Sequence, residues 1–322
     1  MRMKKTVRKF LRSREAKNCT PKTIDWYRWR LDKFRKWAKE HGIKSVEEFT
    51  PDDLDDWVVS LYRQKWRWRD HPIRPACKGK LSPSTIAGCI QAVKTFFNWS
   101  AERGHVNRSP ALYLVKPDEE LDASERLMSY DDLQAMLNKA CELAETGERL
   151  AIRDLAIIAF AGDTGCRPGE IRNLRLCWLN LEKLEATVKG KRGERGRRRK
   201  RTVLFTEKTA ETLVNWLKVR PDRSSNRVFV NRSGKTLTEN GLYQIFKRLA
   251  KKAGVTGRYN PHAVRHWVGQ TYTDDTNLEL ARDKLGHTTV VTTANSYAHQ
   301  DRDHVRTATE RLSPWNHRER DN

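Results

Sequence analysis

The chain has 322 residues, which is long enough for two domains, and it carries a net charge of +23 with a sequence pI near 10.0. The positive excess is spread over both halves and predicts a polyanionic partner. No apolar run of about 18 residues is present, and no signal-like apolar core follows the basic residues 1–5, so we expect a soluble, cytoplasmic protein without a membrane partner. Six cysteines without a Cys-x-x-Cys pair indicate free thiols in a reducing compartment.

Three amphipathic helices are predicted near the amino terminus. Thr20 and Thr50 are N-cap residues for the first two, and each is followed by a proline at the first helical position. The third helix runs from about Pro83 to Glu102. Their apolar stripes are Ile24, Tyr27, Leu31, Phe34 and Trp37; Leu54, Trp57, Val58 and Leu61; and Ile86, Ile90, Val93, Phe97 and Trp99. Residues 1–115 are therefore predicted to form an all-helical domain.

A basic stretch separates the second helix from the third. Residues 63–80 hold seven Lys or Arg against one acid, interrupted by two prolines and interleaved with tryptophan. This composition favours a mobile loop beside phosphates over a packed element. The alternative is a solvated surface loop with Trp66 or Trp68 turned inward. The candidate nucleic-acid contacts of this stretch are Arg63, Lys65, Arg67 and Arg69.

The character of the chain changes at residues 116–126, where acidic residues without apolar periodicity predict an exposed, extended linker. A second domain is predicted over residues 127–312, followed by a polar tail at 313–322. Ser129 is expected to cap its first helix. The almost wholly apolar stretch from Ala151 to Gly162 is expected to be a buried central helix.

A hairpin is predicted from two short β-like runs, residues 186–188 and 202–205, that flank a charged turn. The turn, residues 189–201, carries nine Lys or Arg and one Glu, and we expect it to contact nucleic acid. The candidate contacts are Arg192, Arg195, Arg197, Arg198, Arg199 and Lys200.

Glycines in this turn do not form a dinucleotide fingerprint, because no helix-forming stretch follows. A P-loop is also excluded, because Phe229 stands where its first glycine is required, so no nucleotide cofactor is predicted.

Chemically active residues are concentrated late in the chain. His262 and Arg265 are three residues apart, so on a helix they project from one face and can act together on one phosphate. Arginine offers a planar fork of donors, histidine exchanges protons near neutral pH, and a tyrosine hydroxyl such as that of Tyr297 can attack phosphorus. His262 and His266 also have the spacing of half a zinc site, but no cysteine or carboxylate lies at ligand spacing, and no metal is predicted. Taken singly, His287 can be a helix cap and Tyr297 an ordinary half-buried aromatic.

A second motif lies upstream, from Asp163 to Leu174, where Arg167 follows a glycine turn and Glu170 is placed to hold its guanidinium. The chain here resembles the tyrosine recombinase, or phage integrase, family. The family's conserved sequence motifs, here called boxes, resemble four features of this chain: Thr-Gly-x-Arg-x-x-Glu-Ile from residue 164 (the arginine box), His-x-x-Arg-His from 262 (the histidine box), Leu-Gly-His from 285, and a late tyrosine. The four occur in the family's order, and the looser resemblance extends from about Lys5 to Arg311.

The resemblance implies a mainly α fold, with an all-helical, SAM-like core-binding domain and a mixed α+β catalytic domain that contains a small antiparallel sheet. It implies a site-specific DNA recombinase that needs neither metal nor ATP and works through a 3′-phosphotyrosine intermediate. Tyr297 would be the nucleophile, Arg167 and Arg265 the phosphate clamp, and Lys191 the general acid, with Lys200 as the alternative. His262 would assist proton transfer, His287 would hydrogen-bond the phosphate, and Glu170 would orient Arg167.

The implied partner is a double-stranded DNA recombination site, bound by four protomers in the synapse, whereas the free protein is expected to be a monomer or a weak oligomer. A last amphipathic helix marked by Val305, Ala308 and Leu312 would dock on a neighbouring protomer or on its own domain. Two other classes remain open: a type IB topoisomerase-like or resolving enzyme, and a non-catalytic basic DNA-binding protein of the same fold.

One departure from the family concerns the nucleophile. Its tyrosine commonly follows the Leu-Gly-His histidine by nine residues, whereas His287 and Tyr297 are ten apart. One extra residue rotates a helical side chain by about 100°. Either part of this segment is loop, or the phenol is turned away from the family's position.

Overall fold

The computed structural model describes residues 2–67, 75–117, 128–192, 198–221, 225–275 and 284–285, and at 67, 191, 192, 198, 199, 274 and 275 it describes the backbone alone. The chain divides into two compact units, Met1–Asp122 and Ala123–Asn322. This division falls inside the stretch 116–126 that we predict to be a linker, while the finer domain limits stay predictions. Within the described ranges, no helix is both long and apolar enough to cross a membrane.

The described residues of the first unit form four α-helices and one short ribbon. The helices are α1 (Met3–Ala16), α2 (Pro21–Glu40), α3 (Pro51–Arg63) and α4 (Pro83–Glu102), and the antiparallel ribbon consists of β1 (Trp66–Arg67) and β2 (Cys77–Lys78). The predicted caps are confirmed, since the Thr20 and Thr50 hydroxyls each accept a hydrogen bond of 3.2 Å from the backbone N–H three residues on. The predicted bounds of the third helix are those of α4.

Helix α1 was not predicted from the sequence. Its N-cap, Arg2, makes no side-chain capping bond, and its many basic residues obscure an apolar stripe of Met3, Val7 and Phe10. Tertiary contacts stabilise it instead. The Phe10 ring packs edge-on at 5.2, 5.6 and 5.5 Å from the ring centroids of Tyr27, Phe96 and Trp99. Each such aromatic pair contributes about 0.5–1.5 kcal/mol beyond the area that it buries.

The prediction of a wholly loop-like basic stretch between α3 and α4 is wrong at its two ends, where Trp66 pairs with Lys78 and Arg67 with Cys77. The inward alternative is also wrong for Trp66, which is 39% exposed, with the Lys78 Nζ 5.9 Å from its ring centroid. Arg63 and Lys65 are exposed, as a contact to nucleic acid requires. Trp68 and Arg69 lie outside the described residues.

The second unit combines six helices with a small sheet among the described residues. The helices are α5 (Tyr130–Glu145), α6 (Arg149–Thr164), α7 (Pro168–Asn173), α8 (Glu207–Val219), α9 (Glu239–Lys252) and α10 (Pro261–Asp275), and the strands are β3 (Leu179–Asn180), β4 (Glu185–Arg192) and β5 (Arg198–Leu204). The sheet is antiparallel in the order β3-β4-β5. The predicted fold class, mainly α with a small antiparallel sheet in the second half, is confirmed.

Helix α6 is the predicted central helix, and its two buried charged residues, Arg153 and Asp154, pair with each other. Arg153 donates to Asp154 Oδ1 from Nε at 2.9 Å and from Nη2 at 2.6 Å, and it donates from Nη1 to the carbonyl of Val230 at 3.0 Å. Arg248 of α9 binds the other carboxylate oxygen. Because unpaired buried charges are strongly destabilising, these bonds allow two charged residues to lie in an otherwise apolar core.

The predicted hairpin is present, but its strands are longer than the sequence suggested. Four residues at 189–192 continue β4, and 198–201 already belong to β5, with Val188 opposite Arg201 and Lys189 opposite Lys200. Most of the predicted turn is therefore strand. The position of each cation relative to the sheet then depends on strand alternation, because neighbouring residues face opposite sides.

Candidate active site

Arg167 is positioned by the junction between two helices. Helix α6 ends at Thr164, Gly165 adopts a left-handed conformation with φ +56°, and Arg167 is the N-cap of α7. Glu170 holds it in place, since its Oε2 accepts a 2.8 Å bond from the Arg167 backbone N–H and its Oε1 a 3.3 Å bond from Nη1. The predicted contact between these two side chains is therefore present. Arg167 remains 26% exposed, whereas Glu170 is 2% exposed.

Arg265 connects three of the sequence boxes. Asn260 caps α10 by accepting bonds from the backbone N–H groups of His262 and Ala263, at 2.9 and 3.0 Å. Arg265, the fifth residue of this helix, is 5% exposed. Its Nη1 donates to the carbonyl of Gly165 at 2.6 Å and its Nη2 to the carbonyl of Leu285 at 2.8 Å. The arginine box, the histidine box and the start of the Leu-Gly-His box thus meet at one guanidinium.

His262 and Arg265, which we predict to act together on one phosphate, differ in their exposure. His262, the second residue of the helix, is exposed, whereas Arg265, the fifth, is buried. His266 is also exposed when the whole residue is considered. Partial burial of its imidazole ring lowers the pKa of His266, and the positive charges of Arg265 and Arg258 lower it further. In the described part of the chain, no group of three or more His, Cys, Asp or Glu is placed to hold a metal ion.

Gly165 is required by both its conformation and its neighbours. A Cβ atom there would lie 2.8 Å from Leu285 Cδ2 and 3.0 Å from Val268 Cγ1. Its φ of +56° is also unfavourable for any residue that has a Cβ. Only glycine permits the close approach of the arginine box to Leu285.

We expect Gly165→Ala to destabilise the protein more than Gly254→Ala does. Gly254 has a φ of +72° with nothing within 4 Å of its Cβ direction, so its substitution adds backbone strain alone, about 1–2 kcal/mol. Gly165→Ala adds overpacking against Leu285 and Val268, about 1–3 kcal/mol more. Urea unfolding of the two variants measures the difference, and equal losses would contradict the close packing described here.

Arg201 is the site residue that the sequence analysis missed, because it was counted among the cations of the turn. Its Nη2 donates to Glu170 Oε2 at 3.0 Å and its Nη1 to the carbonyl of Lys284 at 2.7 Å. A signal was available: Arg201 lies two positions before Val203 and four before Phe205, and residues at this spacing on a strand share one face. Reading the strand pattern through the charged run would have directed Arg201 inward.

Electrostatics around Glu170 favour its ionised form. Burial, the largest single effect, raises the pKa of Glu170, but the charge of Arg201, the backbone N–H of Arg167 and the charges of Arg167 and Arg265 together lower it below its ordinary value. At the neighbouring Cys166 thiol the effect of burial prevails and raises the pKa to about 11. The site is therefore anchored by one buried carboxylate among three guanidinium groups.

The hairpin and the segment before it carry further cations. Lys189 Nζ lies 4.6 Å from the ring centroid of Trp178, and Arg175 Cζ lies 4.9 Å from the same ring. Lys200, opposite Lys189 on β5, is exposed. Lys191 belongs to β4, where its backbone is described.

Several predicted residues fall outside the ranges that the structure describes. His287, Tyr297, Arg195 and Arg197 lie outside them altogether, as do the predicted last helix and the polar tail. For Lys191, Arg67, Arg192, Arg198 and Arg199, the backbone alone is described. Their proposed roles therefore stay predictions.

Comparison with known proteins identifies the family to which this chain belongs. Residues 126–304 match the phage integrase family, and residues 7–104 match the phage integrase N-terminal SAM-like domain. The chain belongs to the phage integrase family, the family of the tyrosine recombinases.

Individual relatives agree with this assignment. The tyrosine recombinase XerC of Oceanobacillus iheyensis is 25% identical over 299 residues, which cover 91% of this chain and 90% of the relative. Among solved structures, the Tn1549 transposon integrase in complex with transposon right end DNA is similar with a TM-score of 0.73 and 18% identity, covering 97% of this chain and 100% of that one. The XerH site-specific recombinase bound to palindromic difH substrate, a post-cleavage complex, has a TM-score of 0.70 and 19% identity, covering 94% and 82%.

Proposed function

We propose that this protein is a site-specific DNA recombinase that cuts and rejoins DNA strands through a 3′-phosphotyrosine intermediate. The observation that carries the proposal is the buried Arg265, whose hydrogen bonds to the Gly165 and Leu285 carbonyls bring three sequence boxes to one site beside Arg167. The net charge of +23 supports a polyanionic substrate. The similarity to recombinases solved with DNA supports the same partner.

In this mechanism the Tyr297 hydroxyl attacks the scissile phosphate, with His262 assisting removal of its proton. A tyrosine–phosphorus bond forms at the 3′ end while the bond from phosphorus to the 5′ oxygen breaks, and Lys191 protonates the departing oxygen. Arg167 and Arg265 brace the non-bridging oxygens, where charge develops in the transition state, and His287 adds a hydrogen bond. The phosphotyrosine link retains the energy of the broken phosphodiester, so rejoining consumes no ATP, and the arginine forks supply the charge stabilisation without a metal.

Binding in this proposal depends on cations distributed over both units. Arg63 and Lys65 lie beside the ribbon of the first unit, and the hairpin of the second carries the rest. Each neutralised phosphate releases condensed counterions, so affinity should fall steeply with salt.

Joining two duplexes requires four cleavages, and we propose that four protomers assemble on the paired sites. Light scattering of the protein with and without site DNA measures this, and a complex that stays at one protomer per site under synapsing conditions would reject the tetramer.

The experiment that tests the function uses a nicked suicide substrate made from the DNA that flanks the gene. Loss of the short fragment beyond the nick prevents religation, so we expect a covalent adduct between the protein and a DNA 3′ end. Relaxation of supercoils without a specific site would favour a topoisomerase-like enzyme instead. Tight binding without any adduct would favour a non-catalytic DNA-binding protein.

A further inference from the structure

Arg201 occupies an inward position on β5. It shares the strand face of Val203, which is buried, and its own side chain is 16% exposed. Taking a guanidinium out of water is costly unless hydrogen-bond acceptors replace the lost hydration. The acceptors of Arg201 therefore indicate what its burial accomplishes.

These acceptors come from two distant segments. From one side, Nη2 reaches Glu170 Oε2 at 3.0 Å and Cys166 Sγ at 3.9 Å, which flank Arg167 in the sequence. From the other, Nη1 donates to the carbonyl of Lys284 at 2.7 Å, 83 residues away. The Arg201 guanidinium thus connects the arginine box with the residue that precedes the Leu-Gly-His box.

Arg265 binds the next carbonyl along the same segment. Its Nη2 donates to the Leu285 carbonyl at 2.8 Å, so two successive carbonyls are held by arginines from β5 and α10. Bonds to backbone carbonyls restrict the path of the chain itself. That chain enters His287 two residues later.

We propose that Arg201 is a positioning residue for strand cleavage, holding Glu170, and through it Arg167, in fixed relation to the segment that leads into His287. The inference rests on the proposed function, because it assigns Arg201 a part in that reaction. Arg201 acts through Glu170 and two backbone segments rather than by touching the phosphate. It thereby differs from the neighbouring cations that are predicted to bind DNA.

Geometry requires arginine rather than a positive charge alone. A lysine ammonium is a compact point charge and does not span two acceptors from opposite sides, as the guanidinium does. Arg201 is also the strongest of the influences that lower the pKa of Glu170 against the opposing effect of burial. Among the described residues, the charged or titratable groups that act on Glu170 are Arg167, Arg201, Arg265 and Cys166.

The test compares Arg201→Lys and Arg201→Gln with the matched controls Arg220→Lys and Arg220→Gln. Arg220 is also a half-buried arginine that binds carbonyls, donating to Arg227 from Nε at 3.1 Å and from Nη2 at 2.6 Å. We expect both Arg201 variants to bind the nicked substrate with unchanged Kd and salt dependence, while adduct formation slows on the order of 10²-fold, the effect of a displacement of about 1 Å in a catalytic group. Arg220 variants should lose thermal stability but keep the cleavage rate at temperatures where they are folded.

The pH profile gives a second readout that a merely structural role would not alter. Glu170 is held ionised by Arg201, so in Arg201→Gln its pKa rises and protonation begins at a higher pH. The acid limb of the cleavage rate should therefore move to higher pH in that variant, whereas in Arg220→Gln it should not move.

Three results would overturn the proposal: a full cleavage rate in Arg201→Lys, a weakened Kd with a smaller salt slope, or the same rate loss in the Arg220 variants. Amide hydrogen exchange of the peptide that contains Lys284 and Leu285 provides a measurement independent of activity. It should rise in both Arg201 variants and not in the controls. If the wild-type protein forms no adduct, the proposed function fails, while the exchange data still decide whether Arg201 holds this segment.

Discussion

Tyr297→Phe is expected to bind site DNA as the wild-type protein does and to form no covalent adduct. Phenylalanine lacks the hydroxyl that becomes bonded to phosphorus, and no other tyrosine lies between His287 and the end of the sequence. Binding should survive because the cations that grip the phosphates are distributed over both units. The loss of cleavage should therefore be complete, without a change in affinity.

Electrophoresis of the nicked substrate under denaturing conditions separates the protein–DNA adduct from free DNA, and a filter or gel-shift assay gives the affinity. Tyr113→Phe is a suitable control, because Tyr113 is exposed in the first unit and lies outside both basic stretches. An adduct at a 3′ end in Tyr297→Phe would show that another residue is the nucleophile. This experiment also decides whether the spacing of ten residues after His287 still delivers the phenol to the phosphate.

Lys191→Ala is expected to slow cleavage by a factor on the order of 10² to 10⁴, the usual contribution of a general acid. The departing 5′ oxygen has a high pKa and needs a proton as the bond to phosphorus breaks. Lys191 follows Gly190 near the end of β4, on the hairpin that we expect to approach the DNA. Affinity should change little, since one cation among many is removed.

A substrate with sulfur in place of the 5′-bridging oxygen distinguishes the acid from the other cations, because a thiolate leaves without protonation. Lys191→Ala should be largely rescued on this substrate. Lys200→Ala is the matched comparison, since Lys200 is exposed on the opposite strand of the hairpin. Equal impairment of Lys191→Ala on both substrates, with rescue of Lys200→Ala, would transfer the role to Lys200. Impairment of both variants without rescue would indicate an electrostatic clamp that contains no acid.

Local sequence signals predicted most helices because capping and apolar periodicity act within a few residues. Thr20, Thr50 and Ser129 each cap a helix as expected, and the apolar stretch after Ala151 is the buried helix α6. Helix α1 was missed for the same reason, since its stability comes from packing of Phe10 rather than from a cap. The ribbon at Trp66 was missed because two-residue strands carry almost no periodic signal.

The sequence by itself determined the order of the boxes, the placement of Arg167 at a helix start beside Glu170, and the family to which the chain belongs. Tertiary structure alone decided which distant groups the arginines at the centre of the site bind. Arg201 and Arg265 bind carbonyls 83 and 100 residues away, respectively, at Lys284 and Gly165. Such bonds depend on which side of a strand or helix faces the core and on where distant backbone passes. The composition of a charged stretch gives its total charge, whereas the direction of each side chain depends on the strand that the stretch forms in the fold.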